Sequence, residues 1–392
     1  MMDYLKRAEE LFETTVANRR RLHQTPEIGL ELQKTTAFIM EKLTEMGYDP
    51  KPCGGGVVAC VGKAGGKTVL LRGDVDALPM KEDSGLSFAS TGENAHTCGH
   101  DIHGAMLLTA AKLLKENEAS LEGMVKLMFQ PGEETFTGAK AMVADGLLEN
   151  PRPDVALGYH VGSGTAPVGL FIYNRDKTML NSSDNFRIDI QGKGGHGASP
   201  NECIDPVNIA AHIILALESV IAREVKSTQA NVLTIGKVVA GNAGNIIPDT
   251  AELYGTLRCD SKEEREFVLQ RLSEVAEMTA KTYRGSVQVT LVAGTPPLIC
   301  DPQAVDDFVG YMRELNVPGQ CEYEGMHAAS SDDLAIILSE IPGAYMFLSA
   351  GFTDGRETYN QHHPKVVFNE EVMKSGPAYL AHCATRWLEE HK

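Results

Sequence analysis

The chain has 392 residues, of which 43% are hydrophobic and 23% are charged, and its formal net charge is −17. This composition is typical of a globular protein, and the length suffices for two domains with separate cores. The acidic balance disfavours nucleic acids and anionic membranes as partners, since both would be repelled, and favours a small-molecule substrate.

The start of the chain and its cysteines indicate a compartment. Asp3, Lys6 and Arg7 interrupt the first residues, so they form no apolar run of the signal-peptide kind. No window approaches the roughly 18 apolar residues of a membrane span. Eight cysteines are spread without paired spacings, which is typical of reduced thiols. We therefore expect a cytoplasmic protein.

The amino-terminal part alternates helical and strand patterns. Helices are predicted at 4–21 and 35–46, and a strand at 68–72. Residues 101–114 are apolar almost all round, which predicts a buried helix, and 125–130 resembles a central strand that runs into a turn. The alternation predicts an α/β fold with helices on both faces of a sheet.

From about 185 to 292 the order of the predicted elements changes to β-α-β-β-α-β. The elements are a strand at 186–190, a helix at 206–225, strands at 232–239 and 251–258, a helix at 261–283 and a strand at 286–292. This order predicts a ferredoxin-like α+β domain, a four-stranded antiparallel sheet with two helices on one face. A helix predicted at 301–315 returns to the α/β pattern, so the smaller domain is an insertion. We divide the chain at 1–183, 184–295 and 296–392.

The densest group of chemically active side chains lies between His96 and His103, just before the predicted buried helix. It contains one thiol, three imidazoles and one carboxylate. Cys98 and His100, separated by one glycine, could face one metal ion from an extended loop. The alternative is a polar helix cap, in which Asp101 accepts from backbone N–H groups and the histidines are solvated.

Two adjacent carboxylates, Glu133 and Glu134, follow the predicted central strand. Ligand and catalytic residues favour that end of an α/β sheet. Neighbours in an extended chain point to opposite sides, so one glutamate could bind a metal while the other removes a proton from water. The commoner fate of an isolated Glu–Glu pair is a solvated acidic turn.

Other histidines and carboxylates lie at turn-rich positions. His160 lies between glycines, and His362 and His363 precede a proline. Either site alone would more often be structural. Together with the first two groups they complete a set sufficient for two metal ions that share a ligand: Cys98, His100, Glu134, His160 and His362. Asp74 and Asp76 lie two residues apart on one strand face, suited either to orient a ligand imidazole or to a strand-end turn.

The inserted domain carries a glycine-rich segment, 192–200, that presents His196. Glycines permit close approach of the backbone to a ligand. A phosphate-binding loop is the rival interpretation, but the Lys-Ser/Thr ending and the Rossmann-type surroundings are missing. Asn245 adds an amide to this domain. Arg258 adds a guanidinium suited to a substrate carboxylate, or to an ordinary surface ion pair.

Assembled, these motifs resemble the amidohydrolase branch of the aminoacylase and carboxypeptidase family of metallohydrolases. That branch includes hippurate hydrolases, N-acetyl-diaminopimelate deacetylases and hydrolases of auxin amino-acid conjugates. The similarity runs nearly end to end and in family order, through RGDVDALPM, HTCGHDIHGAM, FQPGEE, GYHVG, GKGGHGASP, NIIP, GTLR and QHHPKVVFNEE. It implies a zinc-peptidase-like catalytic domain, an inserted lid and dimerisation domain, and cleavage of the amide bond of N-acyl amino acids.

The resemblance also implies roles for single residues. The metal ligands would be Cys98, His100, Glu134, His160 and His362. Glu133 would be the general base and Asp76 a carboxylate behind the ligands. In the inserted domain His196 would help to stabilise the oxyanion, with Asn245 and Arg258 near the substrate. We expect two divalent ions per chain, drawn from zinc, manganese, cobalt or nickel, and a homodimer formed through the lid domain.

Departures from the family pattern, including a more polar connector at 174–184, affect the expected substrate preference. Relatives often have a leucine where this chain has Gln361, and the late acidic motif that commonly reads Gly-Ser-Glu-Asp-Phe is here 330–334, Ser-Ser-Asp-Asp-Leu. A dipeptidase or carboxypeptidase is one alternative, because it needs the same chemistry. A non-catalytic metal-binding homologue is another, although it should have lost its base, and Glu133 is present.

Overall fold

A computed structural model describes residues 2–392, and these residues divide into two units. The larger unit contains residues 2–179, Ile299–Met326 and Asp332–Lys392, and the smaller unit contains Leu180–Leu298 and His327–Ser331. The division made from the sequence assigned 327–331 to the catalytic part. These residues join the smaller unit because the backbone N–H of Asn181 donates to the Ala328 carbonyl, and Asn181 Oδ1 lies 2.6 Å from His327 Nε2.

Helices and strands are numbered along the whole chain. The helices of the larger unit are α1 (Tyr4–Glu10), α2 (Phe12–His23), α3 (Gln33–Glu45), α4 (His100–Glu116), α5 (Gly138–Ala144), α8 (Pro302–Glu314), α9 (Leu334–Leu338) and α10 (Gly376–Glu390). The helix predicted at 4–21 is interrupted at Leu11, whose N–H is shared between the Arg7 and Ala8 carbonyls. Neither glycine nor proline marks this break, so residue type alone could not predict it.

A mixed sheet forms the centre of the larger unit. Among the described residues its strands are β1 (Lys51–Cys53), β2 (Gly56–Gly62), β3 (Thr68–Asp74), β4 (Met124–Gln130), β5 (Val155–Gly162), β6 (Phe171–Tyr173), β15 (Glu322–Glu324) and β16 (Gly343–Ser349). Their order is β1-β2-β4-β3-β5-β16-β6-β15. Strand β3 is buried at every position, as expected for a central strand covered on both faces.

Four neighbouring strands of this sheet, β4, β3, β5 and β16, run parallel. Their carboxyl ends therefore meet at one edge, where open α/β sheets usually bind ligands. Two of the four, β5 and β16, were not predicted as strands, because they are buried along nearly their whole length and show no alternation of apolar and polar residues. This edge carries most of the candidate site.

The smaller unit contains a four-stranded antiparallel sheet in the order β10-β12-β8-β13. Its elements are β8 (Ser183–Gln191), α6 (Pro206–Arg223), β10 (Val232–Ala240), β12 (Thr250–Arg258), α7 (Lys262–Thr282) and β13 (Ser286–Thr295), with the short strands β9 (Gly195–His196) and β11 (Ile246–Ile247) pairing beside the sheet. Strands β7 (Thr178–Leu180) and β14 (Leu298–Ile299) pair where the chain enters and leaves this unit. The β-α-β-β-α-β order and the sheet agree with a ferredoxin-like fold.

Helix α6 is the described helix whose length and composition would allow it to cross a membrane. In the structure its residues Ile209, Ile213 and Leu217 pack in the core of the smaller unit, together with strand residues such as Ile188 and Leu253. This packing accounts for the apolar residues on the buried face of α6, whereas Val207 and Leu215 on the same helix are exposed.

Candidate metal centre and active site

The candidate site lies at the carboxyl edge of the parallel strands in the larger unit. Asp74 ends β3, Glu133 and Glu134 follow β4, and His160 lies near the end of β5. Helix α4 begins at the same edge with His100. The elements thus bring side chains together that are far apart in the sequence.

The five predicted metal ligands converge on the sulfur of Cys98. Cys98, His100 and Glu134 offer ligand atoms that all lie within 4.8 Å of one another. His362 Nε2 lies 3.3 Å from Cys98 Sγ and 3.3 Å from Glu134 Oε1, and His160 Nε2 lies 3.4 Å from Cys98 Sγ. The geometry is compatible with metal binding, and their role as ligands remains a prediction.

The turn that carries Cys98 requires a glycine at the next position. Gly99 has a φ of +91°, and a Cβ built on it would lie 2.5 Å from the Val161 side chain. A larger residue would push the turn away from β5 and separate Cys98 from His160. His362 also has a positive φ, +64°, and its backbone N–H donates to the Thr97 carbonyl at 3.0 Å.

Asp76 positions two of the predicted ligands. His100 Nδ1 lies 3.0 Å from the Asp76 carbonyl oxygen and 3.2 Å from Asp76 Oδ1, so Nδ1 carries the proton and Nε2 is left to face the site. The other carboxylate oxygen of Asp76 accepts from the Glu134 backbone N–H at 3.1 Å. Asp76 therefore lies behind the site, where the resemblance placed it.

The electrostatics of this pocket fit a cation. Within residues 2–392, the buried atoms His100 Nε2 and Glu134 Oε1 make no hydrogen bond of good geometry. Burial and the charges of Glu134, Glu133 and Asp74 raise the pKa of the Cys98 thiol well above its usual value. Burial alone would lower the pKa of His100, but Asp74 and Asp76 outweigh it and raise that pKa to about 10. A divalent ion would offset this concentrated negative charge.

The two adjacent glutamates have opposite environments. Burial, together with Asp332, Glu134 and Asp333, raises the pKa of Glu133 well above its usual value. Burial acts on Glu134 in the same direction, but contacts with His362 and His100 outweigh it and lower the pKa of Glu134. An ionised Glu134 suits a ligand, and a proton-accepting Glu133 suits a base.

The other residues of the 96–103 segment have different partners. His103 offers a ligand atom within 4.8 Å of those of Asp74, His100 and His160, but hydrogen bonds engage both of its ring nitrogens. His103 Nδ1 lies 2.5 Å from Asp74 Oδ1, and its Nε2 accepts from the Val161 backbone N–H at 2.8 Å, so neither nitrogen is available. His96 is buried, which lowers its pKa to about 3. Asp101 does not cap the helix, as the alternative interpretation proposed; its Oδ2 accepts from Arg19 Nε at 2.7 Å and lies 2.8 Å from His23 Nδ1.

A buried ion network behind Glu133 was missed by the sequence analysis. Glu133, Asp332 and Asp333 form a second cluster of carboxylates within 4.8 Å. Arg72 donates to both oxygens of Asp332, at 3.1 and 2.9 Å, and its Nη1 lies 3.0 Å from Asp74 Oδ2. Arg72 begins the RGDVDALPM motif and Asp332 lies in the late acidic motif at 330–334, but 260 positions separate the two residues, so nothing in the sequence linked them.

His160 was interpreted as a turn residue, but it lies inside strand β5. The preceding glycine serves packing instead of a turn, because a Cβ on Gly158 would lie 2.7 Å from the Leu334 side chain. Glycine at this position lets α9 approach the strand closely. His160 Nδ1 donates to the Val161 carbonyl at 2.8 Å, which leaves Nε2 to face Cys98.

The three predicted substrate residues of the smaller unit lie at two separate places. His196 on β9 pairs with β11, and the neighbouring Gly197 N–H donates to the Asn245 carbonyl at 2.9 Å, so His196 and Asn245 lie together and exposed. Arg258 lies at the far end of β12 and donates to the hydroxyls of Ser183 and Thr256. It also donates to the Leu257 carbonyl at 3.3 Å, so its hydrogen bonds go to hydroxyls and a backbone carbonyl and not to the carboxylate of an ordinary ion pair.

An α/β unit that gathers a thiol, imidazoles and a carboxylate at its sheet edge, beside a second buried carboxylate, defines a metal-dependent hydrolase. The chain belongs to the peptidase family M20/M25/M40, which it matches over residues 70–386. This confirms the resemblance and the fold class predicted from the sequence.

Individual relatives cover nearly the whole chain. The N-acetyl-L-cysteine deacetylase of Bacillus subtilis is 35% identical over 387 residues, which are 95% of this chain and 88% of the relative. The hippurate hydrolase of Campylobacter jejuni is 32% identical over 377 residues, 95% and 96% of the two chains. The solved structure of the Bacillus subtilis YXEP protein, described as a dinuclear metal binding peptidase from the M20 family, matches with 29% identity and a TM-score of 0.79 over 97% of this chain and 99% of that one.

Proposed function

We propose that this protein is an N-acyl amino acid amidohydrolase, which hydrolyses the linear amide between an acyl group and the amino group of an amino acid. The observation that carries the proposal is the position of Glu133, buried beside the cluster of Cys98, His100 and Glu134, with its Oε2 4.0 Å from His100 Nε2. The relatives named as N-acetyl-L-cysteine deacetylase and hippurate hydrolase support this substrate class.

Different residues of the chain have different roles in the proposed reaction. Cys98, His100, Glu134, His160 and His362 would hold the metal. When bound, divalent ions supply a lowered pKa for water and polarisation of the amide carbonyl. Glu133 takes the proton from the water and returns it to the departing amine, a role that its raised pKa favours. Asp76 keeps the His100 ring oriented throughout.

We further propose two divalent ions per chain and a cytoplasmic setting. Two ions are supported by the number of converging donors and by the dinuclear metal binding of the YXEP protein. Mixed thiol, imidazole and carboxylate donors suit zinc, manganese, cobalt or nickel. The cytoplasm is supported by the cysteines, all eight of which are free within the described residues.

Activity on a substrate panel tests the proposal. The purified protein, loaded separately with zinc, manganese, cobalt or nickel, is given N-acetyl, N-benzoyl and indole-acetyl amino acids and unblocked dipeptides. We expect N-acyl amino acids to be cleaved faster than dipeptides, and chelation to abolish cleavage until metal is restored. Preference for dipeptides would support the peptidase alternative, and no cleavage by any loaded form would support the non-catalytic one. Full activity after verified metal removal would refute metal dependence.

We also propose a homodimer formed through the smaller unit, in which His196 completes the site of the neighbouring subunit. His196 and Asn245 lie beyond the Thr250 end of β12, whereas Arg258 ends it. Eight steps of about 3.3 Å separate these ends by about 26 Å, which is longer than a small N-acyl amino acid. One copy of this unit therefore cannot present both groups to one substrate. Two copies related by a twofold axis can, one supplying Arg258 and the other His196.

Complementation between inactive variants tests the dimer. Glu133→Gln and His196→Ala are mixed under conditions that allow subunits to exchange. A heterodimer then contains one site with Glu133 and His196 both intact, so each heterodimer should have about half the activity of an intact dimer, and the mixture should recover less than this because homodimers of each inactive variant remain. Each variant incubated alone is the control. No recovery despite demonstrated exchange would show that His196 acts within its own chain or has no catalytic part.

A further inference from the structure

The side chain of Gln361 reaches the sulfur at the centre of the donor cluster. Its amide nitrogen lies 3.6 Å from Cys98 Sγ, 3.3 Å from the Cys98 carbonyl oxygen and 3.2 Å from the Val161 carbonyl oxygen. The residue is half-buried. A leucine could fill the same space but could make none of these contacts.

The surroundings fix which end of the amide faces inward. Both carbonyl oxygens are acceptors only, so the NH₂ group and not the amide oxygen must face them. His160 Nδ1 lies 3.3 Å from the same nitrogen, but it already donates to the Val161 carbonyl and is not an acceptor. Of the two amide hydrogens, one serves Val161 and the other is shared between the carbonyl and the sulfur of Cys98.

These contacts connect the three segments that carry predicted ligands on this side of the site. Gln361 adjoins His362 in the chain, and its amide bonds the turn of Cys98 and the end of β5, one residue after His160. The backbone adds a single link between the first two segments, from the His362 N–H to the Thr97 carbonyl. The side chain of Gln361 is thus placed to hold the spacing of Cys98, His160 and His362.

We propose that Gln361 is a positioning residue for the metal centre, whose amide N–H donates to the Cys98 sulfur and sets both the position and the donor strength of the thiolate. The inference rests on the proposed metal-dependent function. An N–H···S hydrogen bond withdraws electron density from a metal-bound thiolate, and residues behind metal ligands typically change metal affinity by about 10- to 100-fold. Gln361 therefore gives this centre a thiolate position, a donor strength and a metal affinity that a leucine at the same position would not give.

The test uses the full chain loaded with cobalt(II), whose sulfur-to-metal charge-transfer band in the near ultraviolet reports on the thiolate. We expect Gln361→Leu to shift this band to lower energy, because the sulfur loses its hydrogen bond. We also expect cobalt binding to weaken by about 10-fold or more, because the amide no longer holds the Cys98 turn and the end of β5 at their spacing. Gln361→Glu, which points a carboxylate at two carbonyl oxygens, should weaken binding further. Gln303→Leu, which removes an exposed amide on α8, is the matched control and should match the wild type.

The outcomes separate this inference from the proposed function. Cys98→Ser should abolish the band, which assigns it to Cys98. If the charge-transfer band and the cobalt dissociation constant of Gln361→Leu equal those of the wild type, the role of Gln361 is overturned. The proposed metal centre is not affected by that result. Cobalt binding without a Cys98-dependent band in the wild type would also overturn it, since Gln361 acts through that sulfur. Failure of the wild type to bind any divalent ion would overturn the proposed function itself.

Discussion

Glu133→Gln is expected to keep its metal and to lose about 10²- to 10⁴-fold in kcat, the usual contribution of a positioned general base. Glutamine preserves the volume of this buried side chain but cannot accept a proton. The carboxylate of Glu133 faces Asp332 and Asp333 as well as His100, so its loss removes a proton acceptor and leaves the convergence on Cys98 unchanged. Metal content and steady-state kinetics, measured on one preparation, check the retained metal and the reduced kcat.

Glu134→Gln should give the opposite phenotype. Its Oε1 lies 3.3 Å from His362 Nε2 and within the cluster of Cys98 and His100, so a neutral amide there removes a charged donor and the metal with it. Glu41→Gln, an exposed change on α3, is the control for loss of a carboxylate as such. If Glu133→Gln loses metal and Glu134→Gln keeps it, the two roles are exchanged.

The sequence predicted the donors because they are dense and local. Cys98 and His100 lie within one short motif, and adjacent glutamates after a strand must point apart, which suggested two roles before any contact was known. What local patterns could not decide is which imidazole of the motif faces the site. Asp74 and the Val161 N–H engage both ring nitrogens of His103, whereas Nε2 of His100 faces the site. Asp74 lies on β3 and Val161 on β5, so this difference depends on strands distant in the sequence.

Strands with one exposed face could be predicted from the sequence, whereas two strands that are buried on both faces could not. The inserted domain has one exposed sheet face, so its strands alternate and their order could be deduced from period and length. Strands β5 and β16 have no exposed face, so periodicity could not distinguish them from loops or helices, and His160 was assigned to a turn. The separation of Arg258 from His196 depends on the pairing of β9 with β11, which places His196 beyond the other end of β12, and periodicity does not reveal that pairing.

The network around Arg72 is the part of the site that no spacing could suggest. Its guanidinium is fully buried, and although burial alone would lower its pKa, Asp332, Asp74 and Asp333 outweigh this and raise it. Arg72 Nε donates to Gln130 Oε1 at 2.9 Å, and Gln130 in turn donates to Asp333. Burial and Asp332 raise the pKa of Asp333 to about 8. The arginine therefore stabilises carboxylates that surround the proposed base.

Arg72→Leu is accordingly expected to lower the free energy of unfolding by about 3–5 kcal/mol, because removing one partner of a buried ion pair leaves uncompensated charge behind. Arg72→Lys should fall between this variant and the wild type, since an ammonium keeps the charge but cannot reproduce the fork that holds Asp332. Urea unfolding followed by the fluorescence of Trp387 measures the effect, because this single tryptophan lies in α10 of the same unit.

Arg356→Leu supplies the matched control for this experiment, because Arg356 pairs with Asp354 at the exposed surface of the same unit. Surface pairs contribute little, so this variant should unfold at nearly the wild-type urea concentration. A loss below about 1 kcal/mol in Arg72→Leu, the range of a surface pair, would mean that protons already neutralise the carboxylates around Glu133. In that case the charge that raises the pKa of Glu133 would be absent, and burial alone would have to account for its behaviour as a base.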